Sequence, residues 1–352
     1  MTRRERALEA AQRAGADVLL AAHPATVTWL TGFAGEIETG PSPFALSPLA
    51  VIAPDAPPIL VVSDDDVPGA TAAGCETSSY RGFSVEPIDP VGGATRALTE
   101  AVAGRRVATE AGSLPAALAA TVDWVDLGDG LRFARAVKDA DELELIRGAI
   151  ALCDAGQREA RLRAEPGMTE LDLWTLVRGA IEREAGARTP VLADLVAGPR
   201  TGQVGGAPEA RPIGEGELVL CDLVPRHAGY WGDSCATFAV GEPSAEAVER
   251  HGAARERLAR LIAEVRPGVV AGDLDALARE GLDFPHHAGH GLGAGWHEEP
   301  RIVPGATTVL EAGMVIALEP GSYGEREGAR VEQILLVTAD GCEVLSGHDL
   351  SL

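Results

Sequence analysis

The chain has 352 residues, of which 46% are hydrophobic, and its formal net charge at pH 7 is −23. The length favours two domains, and the ordinary hydrophobic fraction argues against an intrinsically disordered chain. The acidity argues against a nucleic-acid partner or an anionic membrane surface, because both require basic patches.

The first third of the chain predicts a small α/β domain, because strands alternate with helices to about residue 130. The segment APDAPP separates two short apolar segments, which we expect to form a hairpin or adjacent strands. We place the domain boundary after residue 132, so the N-terminal domain covers 1–132. The predicted elements are a helix at 4–14, strands at 17–22, 49–53 and 59–63, a helix near 93–104 and a strand at 105–110.

The second domain, 133–352, is predicted to open with two helices. The first is the long amphipathic segment ARAVKDADELELIRGAIALCDAGQREARLRAE, with acidic residues near its start, where the helix dipole favours them. The second follows PGMTELD, which resembles a capping sequence. The pattern after residue 190 predicts strands at 217–224 and 229–241, a helical block at about 244–281, and strands at 314–320 and 330–338.

Cysteines and apolar segments indicate the compartment. The N-terminal segment MTRRERALEAAQRAGAD lacks the apolar region of a signal peptide, and no run approaches the roughly 18 apolar residues of a membrane span. We therefore expect a soluble, cytoplasmic protein. The five cysteines form no CxxC pair, which also fits a reducing compartment: they are Cys75, Cys153, Cys221, Cys235 and Cys342.

Lys138 is the only lysine of the chain. There is consequently no Gly-Lys-Ser/Thr phosphate loop, which excludes a Walker-type NTPase. An enzyme that forms a lysine Schiff base would have to use Lys138, which lies in the charged segment VKDADELE.

Four carboxylates lie in or beside apolar strands of the second domain. Asp222 lies inside ELVLCDLV, and Asp233 follows eleven residues later on the predicted returning strand. Glu319 lies at the end of the apolar strand predicted in MVIALEP, and Glu332 lies near the start of the strand predicted in RVEQILLV. An acid buried in a strand is costly unless it is paired, hydrogen-bonded or bound to metal. Each acid alone could form an ion pair with an arginine, but four in two hairpin-like pairs predict a shared site.

Histidines are concentrated in the segment HHAGHGLGAGWHEEP at 286–300, which holds four of the eight in the chain. Such a segment is either a flexible surface loop or a functional loop, since histidine is a common metal ligand and acid–base group. Together with His290, the four carboxylates form a hard donor set that suits Mn²⁺, Co²⁺, Fe²⁺ or Zn²⁺. Two divalent ions would neutralise four carboxylates, which predicts a dinuclear metal hydrolase.

These motifs resemble the creatinase/methionine aminopeptidase family, the "pita-bread" metallopeptidases, in its Xaa-Pro aminopeptidase and prolidase branch. The resemblance rests on HHAGHGLGAGWHEEP, ALEPGSY, GARVEQ, the spacing of Asp222 and Asp233, and VTWLTGF near the N-terminus. It implies an α/β (α+β) fold: a small creatinase-like N-terminal domain, then a pita-bread domain with pseudo-twofold strand and helix halves. It also implies a homodimer and a small peptide or amide substrate, with the N-terminal domain shaping the substrate entrance.

The resemblance implies roles for matching residues. Asp222 would chelate one metal ion, Asp233 and Glu332 would bridge both ions, and His290 and Glu319 would complete the second. A bridging water would be the nucleophile, and Glu319 would move its proton toward the leaving amine. His297 would contact the substrate near the scissile carbonyl, and His286 and Arg330 match further active-site positions. His287 is expected to be a bystander, and no role is assigned to the other histidines: His23, His227, His251 and His348.

The chain departs from the family pattern at one position close to the expected chemistry. A histidine normally lies about seventeen residues before the first aspartate, where this chain has Gly205. In the family that histidine contacts the substrate and assists collapse of the tetrahedral intermediate. Two smaller departures are DLV in place of Asp-x-Gly and Ala236 in place of an arginine.

Three hypotheses for function therefore stay open. The first is a dinuclear aminopeptidase or dipeptidase that cleaves before proline. The second is a hydrolase of a non-peptide amide or modified amino acid on the same scaffold, in which Gly205 opens room for a bulkier substrate. The third is a binding protein without turnover, which the retention of all five ligands disfavours.

Overall fold

The computed structural model describes residues 2–35 and 43–352. Contacts divide the chain into two compact units, Met1–Arg135 and Ala136–Leu352, which we call the N-terminal and C-terminal units. The domain boundary predicted after residue 132 stays a prediction. Over the described ranges, no helix combines the length and apolar character needed to cross a bilayer.

The N-terminal unit is built on a mixed six-stranded sheet, in the order β4-β3-β2-β1-β5-β6. The strands are β1 (Val18–Ala21), β2 (Leu49–Ile52), β3 (Ile59–Ser63), β4 (Glu76–Tyr80), β5 (Val107–Thr109) and β6 (Trp124–Asp126). The helices are α1 (Arg3–Arg13), α2 (Pro24–Thr31), α3 (Val67–Ala72), α4 (Pro90–Val102), α5 (Ala116–Ala119) and α6 (Gly130–Ala134). The predicted hairpin is confirmed, because β2 and β3 pair antiparallel. The expected small α/β unit is therefore present.

The segment VTWLTGF, part of the family resemblance, closes α2 of this unit. His23 caps the helix with its side chain, Pro24 occupies the first turn, and Gly32 ends it in a left-handed conformation with φ 73°. Trp29 is fully buried. Proline at the start and glycine after the end are the residues that favour a short helix with defined ends.

The C-terminal unit contains two principal sheets and a separate strand pair. The first sheet has the order β10-β8-β7, with β9 paired to β8; the second has the order β12-β11-β13-β16-β17; and β14 pairs with β15. The strands are β7 (Val191–Ala197), β8 (Glu217–His227), β9 (Tyr230–Trp231), β10 (Cys235–Val240), β11 (Gly289–Gly291), β12 (Glu298–Ile302), β13 (Val315–Leu318), β14 (Gly321–Tyr323), β15 (Gly328–Arg330), β16 (Gln333–Val337) and β17 (Cys342–Val344).

Four helices accompany these sheets: α7 (Ala140–Arg163), α8 (Glu170–Ala185), α9 (Ala245–Glu264) and α10 (Ala271–Ala278). Apolar side chains of α7 and α8 pack in one buried cluster with those of β7, β8 and β10. Residues of α9 and α10 pack in another cluster with those of β13 and β16. Each half of the unit thus has its own sheet and helix pair, as a pseudo-twofold arrangement requires.

Two predicted boundaries are wrong, and each error has a local cause. The long helix starts at Ala140 rather than in ARAV, because Asp139 and Glu142 form a capping box there. The helical block at 244–281 is two helices, with Pro267 in the connection.

The segments 229–241 and 330–338 are not continuous strands either. Each contains a break, at 232–234 between β9 and β10 and at 331–332 between β15 and β16. At the first break, a Cβ on Gly232 would lie 2.6 Å from the carbonyl oxygen of Ala149 in α7. The backbone therefore packs directly on the helix, which any larger residue would prevent.

Candidate metal centre

The five predicted ligands all lie at strands or strand ends of the C-terminal unit. Asp222 lies in the middle of β8, and His290 is the central residue of β11. Asp233 and Glu332 lie in the two breaks, shortly before β10 and β16, and Glu319 directly follows β13. The breaks free Asp233 and Glu332 from strict strand alternation, so their side chains can turn toward the other ligands.

Hydrogen bonds join β10 of the first sheet to the segment from β15 to Glu332, beside these residues. The Glu332 amide donates to the Cys235 carbonyl at 2.9 Å. The Thr237 hydroxyl donates to the Arg330 carbonyl at 2.9 Å and accepts from the Arg330 amide at 3.1 Å. The predicted ligands from the two halves of the unit are therefore held against each other by one backbone bond and by the Thr237 hydroxyl.

The predicted ligands converge in space. His290 Nε2 lies 3.5 Å from Asp233 Oδ2 and 3.6 Å from Glu319 Oε1. One donor atom from each of Asp233, His290 and Glu332 lies within 4.8 Å of the other two. Asp222 is linked to the group by Arg330, which donates to it and lies 3.8 Å from Glu319. The structure brings all five residues together.

Burial makes this group of carboxylates electrostatically strained. Burial raises the pKa of Asp222 to about 7, against the lowering effect of the Arg330 charge. The pKa of Glu332 rises well above its ordinary value, through burial first and then through repulsion by Asp233 and Glu319. Burial likewise raises the pKa of Asp233, opposed by its hydrogen bond to His290. Like charges in a low-dielectric site raise one another's pKa unless a cation is added.

Glu319 is the exception among the carboxylates. Burial alone would raise its pKa, but the hydrogen bond from His287 and the charges of His290 and His287 lower the pKa to about 2. At neutral pH it is therefore an ionised carboxylate, and it accepts a hydrogen bond from His287.

The tautomer of His290 suits metal binding. Its Nδ1 lies 2.9 Å from the Gly291 carbonyl, which can only accept, so Nδ1 carries a proton. Nε2 then faces Asp233 and Glu319. Burial lowers the pKa of His290, but the hydrogen bond to Asp233 and the charges of Glu319 and Asp233 outweigh it and raise the pKa to about 9. Without metal, Nε2 holds a proton; a divalent ion would take its place.

A buried carboxylate oxygen without a hydrogen-bond partner shows whether the residues present fit a divalent ion. Within the two described ranges, Glu332 Oε1 is buried and has no hydrogen-bond partner. A buried carboxylate oxygen without a partner carries a full desolvation cost. A divalent ion held by these residues would remove that cost, and a donor set of four carboxylates and one imidazole matches first-row divalent metals. The residues present fit such an ion.

Arg330 and His286 flank the centre and are connected through Tyr323. Arg330 is 4% exposed and donates to Asp222, to the Val204 carbonyl at 2.6 Å and to the Tyr323 hydroxyl at 3.3 Å. His286 Nδ1 lies 2.8 Å from the His287 carbonyl, so it carries the proton and leaves Nε2 to accept from the Tyr323 hydroxyl at 2.9 Å. Burial, reinforced by Arg330, lowers the pKa of His286 to about 4.

His297 lies beside His290, with ring centroids 4.3 Å apart. The indole of Trp296 stacks on its other side, with centroids 5.1 Å apart and an interplanar angle of 17°. Desolvation of the ring among its neighbours, helped by the charges of His290 and His287, lowers the pKa of His297 to about 4, although part of the residue is exposed at the edge of the centre. His297 is therefore neutral at pH 7 and can donate or accept one hydrogen bond at the edge of the centre.

His287 is a residue of the site that sequence reasoning missed. Its Nε2 lies 2.8 Å from Glu319 Oε1, and its ring lies 5.0 Å from those of His290 and His297. The three histidines present donor atoms within 4.8 Å of one another. The expectation that His287 is a bystander is wrong as to its position. Its place in a run of two histidines gave no signal for which one faces the carboxylates.

The space beside Gly205 is occupied. A Cβ added to Gly205 would overlap Oδ2 of Asp194, a residue of β7. The expectation that Gly205 opens room for a bulkier substrate is therefore wrong, because Asp194 fills the place that a side chain at position 205 would take. Asp194 carries no motif, so the sequence offered no signal for it.

The only lysine supports the loop that carries His297. Lys138 Nζ lies 2.7 Å from Glu298 Oε2, and each side chain is 1% exposed. Glu298 Oε1 also accepts from the Gly295 amide at 2.8 Å. The loop thus folds over a buried ion pair, and Lys138 is held by a carboxylate instead of being presented to a carbonyl substrate.

Two family models match the chain. Residues 144–339 match metallopeptidase family M24, and residues 3–129 match the creatinase/prolidase N-terminal domain. A curated relative from Mycobacterium tuberculosis, named probable dipeptidase PepE, is 34% identical over 237 residues. That match spans 65% of this chain and 63% of the relative.

Solved structures share the fold over nearly the whole chain. An Xaa-Pro dipeptidase from Bacillus anthracis superimposes with a TM-score of 0.84 at 22% identity, covering 99% of this chain and 98% of that one. Dipeptidase PepE from Mycobacterium ulcerans gives a TM-score of 0.79 at 28% identity, covering 99% and 96%. The resemblance inferred from the motifs and the predicted two-part fold are both confirmed.

Proposed function

The chain belongs to metallopeptidase family M24, and from this premise we propose that it is a metal-dependent hydrolase of short peptides that cleaves the amide bond before proline. The observation that carries the proposal is the convergence of Asp233, His290 and Glu332, with Glu319 beside His290 and Asp222 joined to the group through Arg330. Within the described residues, the buried Glu332 Oε1 has no hydrogen-bond partner. Names of relatives, dipeptidase and Xaa-Pro dipeptidase, support the substrate class.

We propose these five residues as the ligands of two divalent ions. Four carboxylates carry four negative charges, which two such ions would balance, whereas one ion would leave two charges uncompensated in a buried site. Held there, the ions would supply Lewis-acid chemistry, polarising the scissile carbonyl and lowering the pKa of a shared water so that hydroxide is available. Manganese, cobalt, zinc and iron all suit the donor set.

The chain's own residues would handle binding and protons. Glu319 is ionised at neutral pH and lies beside His287 and His290, so we assign to it the transfer of a proton from the nucleophilic water toward the leaving amine. His297, neutral and at the edge of the centre, would donate to the substrate carbonyl oxygen as negative charge develops there. Arg330 would hold Asp222 in place, with His286 and Tyr323 fixing its other side.

A second candidate function is favoured by a specific observation. Asp194 occupies the space next to Gly205, where the family resemblance leads us to expect a histidine that contacts the substrate. A carboxylate at that place suits a different substrate group, so hydrolysis of a non-peptide amide or modified amino acid on the same centre is the alternative. The domain limits 1–132 and 133–352, the homodimer and the cytoplasmic location stay predictions.

Turnover of an Xaa-Pro peptide panel tests the proposal. Metal-stripped protein is reloaded with Mn²⁺, Co²⁺ or Zn²⁺, and cleavage is followed alongside metal content. We expect Xaa-Pro dipeptides to be cleaved only by reloaded protein. Metal binding without cleavage of any peptide would favour the second candidate, and protein that neither binds metal nor cleaves would contradict the hydrolase proposal.

A further inference from the structure

Asp194 lies beside the candidate metal centre but outside its predicted ligand set. In the antiparallel pairing of β7 and β8, Asp194 is directly opposite Asp222. Residues directly opposite in an antiparallel pair point to the same face of the sheet. The two carboxylates therefore share a face, and Arg330 lies within ion-pair distance of both, which offsets the repulsion between like charges directly opposite each other.

The neighbouring backbone leaves space for this carboxylate. A side chain at position 205 would collide with Asp194 Oδ2, whereas glycine avoids the collision. The Leu195 amide donates to the Gly206 carbonyl at 3.0 Å, and Arg330 donates to the Val204 carbonyl at 2.6 Å. The segment 204–206 is thus fixed between β7 and Arg330, with the Asp194 carboxylate seated against it.

Exposure distinguishes Asp194 from the residues around it. Its side chain is 40% exposed, against 14% for Asp222 and 5% for Arg330. Arg330 Nη2 donates to Asp222 and remains 3.6 Å from Asp194, beyond a normal hydrogen bond. Across 2–35 and 43–352, the Asp194 carboxylate accepts no hydrogen bond, so its acceptor positions are open to a ligand.

The balance of charge indicates which ligand. If two divalent ions balance the four carboxylates proposed as ligands, Arg330 and Asp194 remain with opposite charges. The guanidinium of Arg330 is buried, whereas the carboxylate of Asp194 faces outward. The charge met by an incoming molecule at this edge is therefore negative, which attracts cationic groups and repels anionic ones.

We propose that Asp194 is a specificity-determining residue that binds a positively charged nitrogen of the substrate, an ammonium or guanidinium group, N-terminal to the scissile bond. This inference rests on the proposed function, because it needs a substrate at the metal centre. The cationic nitrogen has two sources, the α-ammonium of the first residue and a basic side chain on that residue.

Two substrate pairs separate those sources, each differing by one charge. Arg-Pro and citrulline-Pro differ in the side chain, while Ala-Pro and lactyl-Pro differ in the α-ammonium. For the wild-type protein loaded with Mn²⁺, we expect the cationic member of at least one pair to have kcat/KM roughly ten- to a hundredfold higher, as for a hydrogen bond to a charged group.

The variant Asp194→Asn keeps the shape and removes the charge. We expect it to bring that ratio close to one, and the pair that responds identifies the source of the nitrogen. Gly205→Ala is the second variant; it displaces the carboxylate without removing it and should lower the same ratio. Glu343→Gln is the matched control, since Glu343 is 47% exposed and pairs with Arg147 away from the centre; both ratios should stay at wild-type values.

Binding of free arginine, citrulline, alanine and lactate, measured by calorimetry, keeps the inference testable apart from catalysis. If the wild type cleaves nothing, the proposed function fails, and a charge preference in binding that Asp194→Asn removes would still support Asp194. Unchanged ratios in Asp194→Asn with wild-type metal content would overturn the inference. An equal loss for all four substrates would overturn it too, because a structural role does not discriminate by charge.

Discussion

Replacing Lys138 by methionine should destabilise the protein in a pH-dependent way. The change removes the ammonium that lies 2.7 Å from Glu298 Oε2, in a pair whose side chains are each 1% exposed. Breaking a buried pair by removing one partner costs about 3–5 kcal/mol, because the remaining charge stays buried. The loop before Glu298 should loosen as well, since the Gly295 amide donates to the same carboxylate.

Protonation of Glu298 sets an independent upper limit on the stability that the variant loses. The variant can neutralise Glu298 instead of burying its charge, which at pH 7 costs about 4 kcal/mol for a glutamate with an unfolded pKa of about 4.3. At pH 5 the same step costs only about 1 kcal/mol. The folded variant binds the extra proton, so its deficit relative to wild type is full at neutral pH and shrinks as the pH falls toward 4.3.

Urea unfolding followed by circular dichroism at pH 7 and pH 5 measures this deficit. Lys138→Met with Glu298→Gln should recover much of the lost stability at pH 7, because no buried charge remains. The control Arg147→Met breaks a pair that is 40% and 47% exposed, and should cost less than about 1 kcal/mol at both pH values. A Lys138→Met deficit below about 1 kcal/mol at pH 7, or one equal at both pH values, would refute the reasoning.

Three further predictions concern metal affinity, acid stability and the aromatic edge of the site. Burial raises the pKa of Asp222 to about 7, and the hydrogen bond and charges around His290 raise the pKa of that histidine to about 9. Metal binding should therefore release protons, and metal affinity should increase as the pH rises from 6 to 8. Calorimetry in buffers of different ionisation heat would detect the proton release, and binding without proton release would contradict the prediction. Burial lowers the pKa of His251 to about 4, so its contribution to stability is full above about pH 6.5 and is lost as the pH falls toward 4. His251→Phe should therefore flatten the dependence of the unfolding free energy on pH between these values. An unchanged pH dependence would contradict the assignment. Trp296→Ala removes the ring stacked on His297 and should lower kcat severalfold with metal content unchanged, whereas a loss of bound metal instead would place Trp296 in support of the ligands.

The sequence predicted which residues come together, because four carboxylates in or beside apolar strands are unusual and, together with His290, they follow the family spacing. That these residues bind metal stays a proposal. It did not predict the breaks at 232–234 and 331–332, since strand periodicity continues through both. Those breaks depend on long-range packing, such as Gly232 against α7, which no local pattern encodes.

Other parts of the site depend on contacts between distant segments. Asp194 meets Gly205 and Asp222 only because of the register between β7 and β8. Lys138 lies in a run of charged residues typical of a solvated surface. Its backbone amide nevertheless donates a hydrogen bond to the Gly313 carbonyl, and its side chain is buried against Glu298. A partner 160 residues away cannot be inferred from the charge pattern of one segment.

The most direct test of the account is the metal content of the purified chain, measured by mass spectrometry after reloading and dialysis, in the wild type and in Glu332→Gln. Glu332 is the proposed ligand with a buried oxygen that has no hydrogen-bond partner in the described part of the chain, and its replacement removes one charge from the proposed ligand set. We predict two divalent ions per wild-type chain and fewer than one per chain of the variant. Wild-type protein that retains no divalent ion under any loading condition, or a variant that retains both, would contradict the proposed centre.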